Sequence, residues 1–350
     1  MKATYKKYIL AFKRPSGTSR GIMTQKETFF IILERDKKIG IGECGILRGL
    51  SVDDVPDYEE RLEWTCDNIG LGKEVLWEAL MSYPSIQFGV EQAFLSLNSS
   101  DPFLLFPSEF TQNNNAIPIN GLIWMGDEQY MHQQIQQKLE EGFKCIKLKI
   151  GAIDFEKEIA LLKSIRNKYS ENEIELRVDA NGAFLPSEAM HKLEHLSLFG
   201  LHSIEQPIKP GNINEMRNLC SKTPIPIALD EELIGITDVT EKEKLLQTAR
   251  PQYIILKPSL AGGFKGSMEW IKIAEKLNIK WWVTSALESN IGLNAIAQWT
   301  YTLNNPLPQG LGTGGLYTNN FECPLKVKNG TISYEKTGNW ENNLIENICI

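Results

Sequence analysis

The sequence has no C-x-x-C pair among its six cysteines, Cys44, Cys66, Cys145, Cys220, Cys323 and Cys349, so neither a zinc ribbon nor a dithiol redox motif is written into it. Reduced, buried thiols in a cytoplasmic protein account for them most simply. The four histidines, His132, His191, His195 and His202, form no zinc-like cluster, and the first three lie in helix-like segments, so a zinc site or histidine base is not indicated. No Gly-x-Gly-x-x-Gly follows a strand-like run, which removes the main support for a dinucleotide-binding fold. Basic blocks are also missing and the formal net charge is −7, so nucleic acid is not an expected partner. The uncharged region from Ser289 to Asn320 is broken by Asn, Gly and Pro, and no membrane span is expected there. The early apolar run Tyr8 to Phe12 is too short for the core of a signal peptide.

A chain of 350 residues can bury a sizeable core and is expected to hold two domains. Its first third reads as α+β. Thr4 to Phe12, Glu27 to Glu34 and Lys38 to Cys44 are strand-like, the last two joined by Arg35-Asp36-Lys37, and helical patterns follow through Tyr58 to Leu62, Lys73 to Met81 and Phe88 to Leu97. Pro107 and Asn113-Asn114-Asn115 mark a linker. From Ile117 the rhythm changes to short apolar runs alternating with amphipathic segments, about eight units in all. The first strand is expected over Ile117 to Ile123 and the last over Gly310-Leu311-Gly312. That pattern predicts an α/β fold, a modified TIM barrel of (β/α)7β type, over residues 116–320. An α+β capping domain is expected over 1–115, completed by 321–350. There Asn329-Gly330 signals a type I′ hairpin expected to pack back on the first third.

Chemistry-bearing residues close the apolar runs. In Cys145-Ile146-Lys147-Leu148-Lys149-Ile150 a period of two puts Lys147 and Lys149 on one face; alone, this reads equally well as an edge strand with solvated lysines. Asp179, Glu205, Asp230, Lys257 and Ser285 each end a later run. In a barrel, strand C-termini converge on one mouth, so three carboxylates would meet there between flanking lysines. Such a set suits a hard divalent ion, Mg²⁺ with Mn²⁺ as a substitute. Removing a proton α to a carboxylate creates an enediolate that needs positive charge on its oxygens. A lysine base must be neutral near pH 7, and a neighbouring ammonium such as Lys147 beside Lys149 pushes in that direction.

The motifs Lys147-x-Lys149, Val178-Asp179-Ala180-Asn181, Ile204-Glu205-Gln206-Pro207, Leu229-Asp230-Glu231 and Leu256-Lys257-Pro258 resemble the muconate-lactonizing-enzyme subgroup of the enolase superfamily. Thr284 to Gly292 and Gly310 to Thr313 are similar to its dehydratase branch. The resemblance implies that Asp179, Glu205 and Asp230 hold Mg²⁺. It also implies that Lys149 removes the α-proton and protonates the leaving hydroxyl, and that Lys257 sits over the ring of the intermediate. Arg20, Asn181, Ser285, Leu287, Gly312 and Thr313 are expected to meet a small carboxylate substrate, under capping loops Thr18 to Gly21 and Leu47 to Leu50. Backbone N–H groups of Gly312 to Gly315 would face a carboxylate. Glu232 departs from the small polar residue common after the Asp-Glu pair. The implied reaction is syn-dehydration of a cyclohexadiene carboxylate bearing a succinyl side chain. Racemization of N-acylamino acids or epimerization of dipeptides uses the same lysines and stays open, although Pro308 to Asn320 holds no acid for a dipeptide's ammonium. A catalytically inactive barrel serving as a binding scaffold is the reading from another class.

Overall fold

In the computed structural model, residues 1–18, 21–113, 115–124, 126–151 and 153–349 are described. The first sheet is antiparallel, in the order β1 (Lys2–Thr18), β2 (Gly21–Arg35), β3 (Lys38–Cys44). The run Phe29-Phe30-Ile31-Ile32-Leu33 is apolar throughout because β2 is central and covered on both faces. Phe29, Ile31 and Leu33 pack with Val90, Ala93 and Leu97 of the helix Pro84–Asn98. Phe30 and Ile32 pack with Phe321 and Leu344 from the far end of the chain. That helix lies flush on β3: a Cβ at Gly42 would stand 1.9 Å from the carbonyl oxygen of Gly89, so no larger residue fits. Asp36 and Lys37 turn the β2–β3 hairpin with φ of 51° and 66°.

A second sheet is parallel and runs in sequence order. Its strands are β5 (Gly121–Ile123), β6 (Cys145–Lys149), β7 (Glu175–Asp179), β8 (Ser203–Glu205), β9 (Ile227–Leu229), β10 (Tyr253–Leu256) and β11 (Lys280–Val283). Helices join successive strands. Asp154 caps the one over Phe155–Arg166 by accepting from the Glu156 N–H at 3.0 Å. The eighth position is reduced to single parallel bridges, Thr284 with Gly310 and Ile119 with Gln309, which close the ring between β11 and β5. The seven-stranded curled sheet with its separate antiparallel sheet is a modified TIM barrel with a cap.

Two elements differ from the expectation. The run Ile117 to Ile123 is broken at Asn120, where the Asn120 N–H turns to the Gln309 carbonyl. Only Gly121–Ile123 joins the barrel, whereas β4 (Ala116–Pro118) leaves it to pair with the tail. The tail hairpin, β12 (Leu325–Lys328) and β13 (Thr331–Tyr334), turns on Asn329 and Gly330, both at positive φ as a type I′ turn requires. It pairs with β4 and sets Tyr334 against Phe110 of the first third, whereas the sheet of the first third is reached from the far end of the chain by Phe321, Trp340 and Leu344. Among the described residues no helix is long and apolar enough to cross a membrane, and the five described cysteines are free and buried.

Candidate active site

The strand register sets the site. Lys149 lies opposite Asp179, and Asp179 opposite Glu205, across β6, β7 and β8. Asp230 and Lys257 follow the last residues of β9 and β10. All five are at the C-terminal ends of parallel strands, and with Lys147, one pleat below Lys149, their side chains gather at the barrel mouth.

The ammonium groups lie directly on the carboxylates. Lys147 Nζ donates to Glu205 Oε2 at 2.7 Å and to Asp179 Oδ2 at 3.2 Å. Lys149 Nζ donates to the same Asp179 oxygen at 2.9 Å and to Asn181 Oδ1 at 2.6 Å. Lys257 Nζ pairs with Asp230 Oδ2. Burial works against the charge on Lys147 and Lys257, yet Glu205 and Asp179 around the first and Asp230 and Glu231 around the second raise both above the ordinary lysine value. Burial would lift the Asp179 carboxyl, but Lys149 and Lys147 hold it below the usual range. Glu205 is pulled both ways: burial, reinforced by Asp179 and Asp230, pushes it up, and the Lys147 ammonium opposes that. Its Oε1 is buried and, among the described residues, has no hydrogen-bond partner.

This donor set fits a hard divalent cation. Three buried carboxylates concentrate negative charge, and one buried oxygen has a lone pair unspent where satisfaction is the rule. Among the described residues no three carboxylates form a ready-made cage, and each of these three meets a lysine ammonium. Ammonium and dication answer the same excess charge.

A cavity of about 370 Å³ opens onto this cluster. Lys147, Lys149, Asp179, Asn181, Glu205 and Lys257 line it, as do Ser285, Leu287, Gly312 and Thr313. Asp230 lies just behind them, buried against Lys257. Asn181, at φ +44°, donates its Nδ2 to Glu231 Oε1 at 2.9 Å, so the two form one wall. Arg20 lies outside the described residues. Arg48 is spent elsewhere, donating to Glu27 Oε2 at 2.8 Å and Asp54 Oδ1 at 2.7 Å, and it does not line the cavity. Among the described residues, the cap cations that line the cavity are Lys13 and Arg14, in the bulge between Ala11 and Ser16 of β1. Sequence reading missed both, together with Glu231 as a wall residue; only the pairing register reveals the bulge. Glu232 faces away: its Oε2 accepts from Gln206 Nε2 at 3.0 Å and its Oε1 from the Gly211 N–H at 2.9 Å. Gln206 Oε1 in turn receives the Asp230 N–H at 3.3 Å, so Glu232 braces the loop behind a carboxylate of the site.

The family model of the enolase C-terminal domain-like proteins matches residues 130–338. Fold and site together define an enolase-superfamily enzyme. An o-succinylbenzoate synthase from Desulfotalea psychrophila is 44% identical, with 95% of this chain and 98% of that protein covered. The crystal structure of MenC from the same organism superposes with a TM-score of 0.85 at 41% identity, covering 95% of this chain and 99% of that one. The fold alone is shared with a dipeptide epimerase from Enterococcus faecalis, solved with Mg and the dipeptide L-Leu-L-Tyr, at TM-score 0.82, 18% identity and coverages of 96% and 97%. Within the superfamily, the chain belongs to the o-succinylbenzoate synthase family.

Proposed function

We propose that this protein is an o-succinylbenzoate synthase. It would convert 2-succinyl-6-hydroxy-2,4-cyclohexadiene-1-carboxylate to 2-succinylbenzoate by syn-dehydration, a step of menaquinone biosynthesis in the cytoplasm. The observation that carries this reading is the near full-length likeness to a protein of that name in a chain whose barrel mouth gathers three carboxylates and three lysines.

Asp179, Glu205 and Asp230 would hold Mg²⁺, with Mn²⁺ acceptable to the same oxygen donors. When bound, the cation supplies positive charge to substrate carboxylate oxygens as the enediolate develops. Lys149, as the neutral amine, takes the proton from the ring carbon that bears the carboxylate. The resulting ammonium then gives a proton to the hydroxyl leaving from the same face, so water departs and the ring becomes aromatic. Syn geometry is what allows one lysine to do both. Asn181 accepts from Lys149 at 2.6 Å and fixes its head. Lys147, paired with Glu205 and Asp179, keeps its positive charge beside Lys149. Lys257 comes from the far side of the site and would place its charge over the ring.

Lysines on β6 and after β10 also support a second reading, racemization of N-succinylamino acids, which needs a base on each face. A spectrophotometric dehydration assay with the cyclohexadiene acid, beside a panel of N-succinylamino acids and with and without a chelator, separates the two. Loss of the diene signal only with free divalent metal is expected. Racemization without dehydration would replace the first reading with the second, and activity indifferent to chelation would remove the metal from both.

A further inference from the structure

One side of the barrel mouth is apolar. β5 pairs with β6 so that Leu122 lies opposite Lys147 and Ile123 opposite Leu148. One residue further along, Trp124 comes level with Lys149, and alternation along a strand sets both on the face that Leu122 and Lys147 share. All four line the cavity at the mouth. The neighbour of the proposed base is therefore a large aromatic side chain, 9% exposed. It packs with Leu10 and Phe12 of β1, Leu47 after β3, and Leu287 and Tyr317 beyond β11, so cap and barrel both hold it in place. Leu47 and Leu287 carry the same apolar surface along the cavity wall.

A side chain, not a strand, fixes the backbone of Trp124. Among the described residues β5 carries a full ladder only against β6, since ring closure on its other side is reduced to single bridges, and it ends at Ile123. Gln134, on the helix Glu128–Glu140, supplies the two bonds that a further strand would give. Its Oε1 accepts from the Trp124 N–H at 2.9 Å, and its Nε2 donates to the Trp124 carbonyl at 3.0 Å. A carboxamide offers the acceptor and the donor together, which a carboxylate or an apolar side chain of the same size does not. Gln134 lines the cavity as well, next to the residue it holds.

We propose that Trp124 is a specificity-determining residue: its indole meets the substrate ring beside the carbon that yields its proton to Lys149, and Gln134 is the positioning residue that keeps it there. This rests on the proposed dehydratase function, in which that carbon belongs to a ring. Two rings gain from offset or edge-to-face contact beyond the apolar area they bury, a gain that an open-chain acid cannot return. Trp124 thus favours a cyclic carboxylate over an N-succinylamino acid, whose α-carbon presents its proton on an open chain.

The test measures binding by calorimetry on the full chain with Mg²⁺, with 2-succinylbenzoate as the ring-bearing ligand and N-succinyl-L-valine as the open-chain one. Trp124→Ala is expected to weaken 2-succinylbenzoate about tenfold and N-succinyl-L-valine less than about twofold, with Trp124→Phe restoring most of the difference. Gln134→Met removes both bonds to the Trp124 backbone and should weaken the ring-bearing ligand about threefold with the same selectivity, adding nothing in the Trp124→Ala background because both act through one contact. It also carries the test if Trp124→Ala fails to fold. Binding needs no turnover. A wild type that shows these shifts yet does not dehydrate the cyclohexadiene acid would overturn the dehydratase reading and leave the ring contact standing. Equal weakening of both ligands, unchanged affinities in the variants, or a wild type that does not favour the ring-bearing ligand would overturn the proposal.

Discussion

The barrel interior carries charge at both ends, and the two ends treat it differently. Below the mouth, Arg177 is 1% exposed and stacks on Trp282, its guanidinium carbon 4.3 Å from the ring centre. Its Nε donates to Glu175 Oε1 at 2.7 Å and one terminal nitrogen to the Pro308 carbonyl at 2.9 Å. Nearby, burial pushes His202 down to about 4, so it is neutral. This is charge fixed by planar packing, as suits a structural arginine. At the mouth the cations are lysines, compact heads on flexible stems, and they face a cavity. Among the described residues each end leaves one buried polar atom without a hydrogen bond, Glu205 Oε1 at the mouth and the other terminal nitrogen of Arg177 below it, but only Glu205 lines the cavity. One interior thus separates charge that holds the barrel together from charge available to a substrate.

The contrast is tested hardest at the mouth. Asp179→Asn, Glu205→Gln and Asp230→Asn should each lower kcat by roughly 10³-fold while weakening Mg²⁺ binding, the scale expected when a preorganised charge-stabilising group is lost. Circular dichroism should show an intact fold, and full activity in any two would remove the metal model. At the lower end the effects should invert. Arg177→Met should cost roughly 2–3 kcal/mol of stability by denaturant unfolding, less than a fully buried pair because Glu175 is partly exposed, and leave kcat within about threefold. A collapse of kcat with normal stability would erase the distinction.

A third test concerns the clasp between cap and barrel. Glu91, on the helix Pro84–Asn98, accepts from the Phe264 and Lys265 N–H groups at 2.5 and 3.2 Å, and burial raises its carboxyl to about 7. A carboxyl raised on folding binds its proton more tightly in the folded state. Its contribution is fully present below the unfolded value, near 4.5, and is lost as pH rises through about 7. Wild-type melting temperature should therefore fall between pH 5 and 8 by more than that of Glu91→Gln; parallel curves would contradict the assignment. The smallest effect is expected at Arg48, which is tied to Glu27 and Asp54. Arg48→Ala should leave KM and kcat within about twofold, as exposed ion pairs contribute little. A raised KM would show that Arg48 reaches the substrate.

Much of the candidate site's placement was legible because its residues stand at strand ends. Lys149, Asp179, Glu205, Asp230 and Lys257 each close a short apolar run, and a parallel barrel brings such ends together. What escaped depends on pairing between distant segments. The bulge that brings Lys13 and Arg14 to the cavity exists only in the register of β1 against β2. The break at Asn120 follows from competition between the tail hairpin and the barrel for one apolar run. The Leu47 to Leu50 loop was expected over the substrate, and Leu47 and Leu50 do line the cavity, but Arg48 is already satisfied by partners 21 and 6 residues away in sequence.

The most direct test of a single-base dehydration compares turnover of the cyclohexadiene acid by Lys149→Ala and Lys257→Arg. With Lys149 removing the proton and returning it to the leaving hydroxyl, Lys149→Ala should form no 2-succinylbenzoate. Lys257→Arg keeps the charge and should retain measurable dehydration. Turnover surviving in Lys149→Ala while Lys257→Arg is dead would contradict the assignment and move the base to the opposite face.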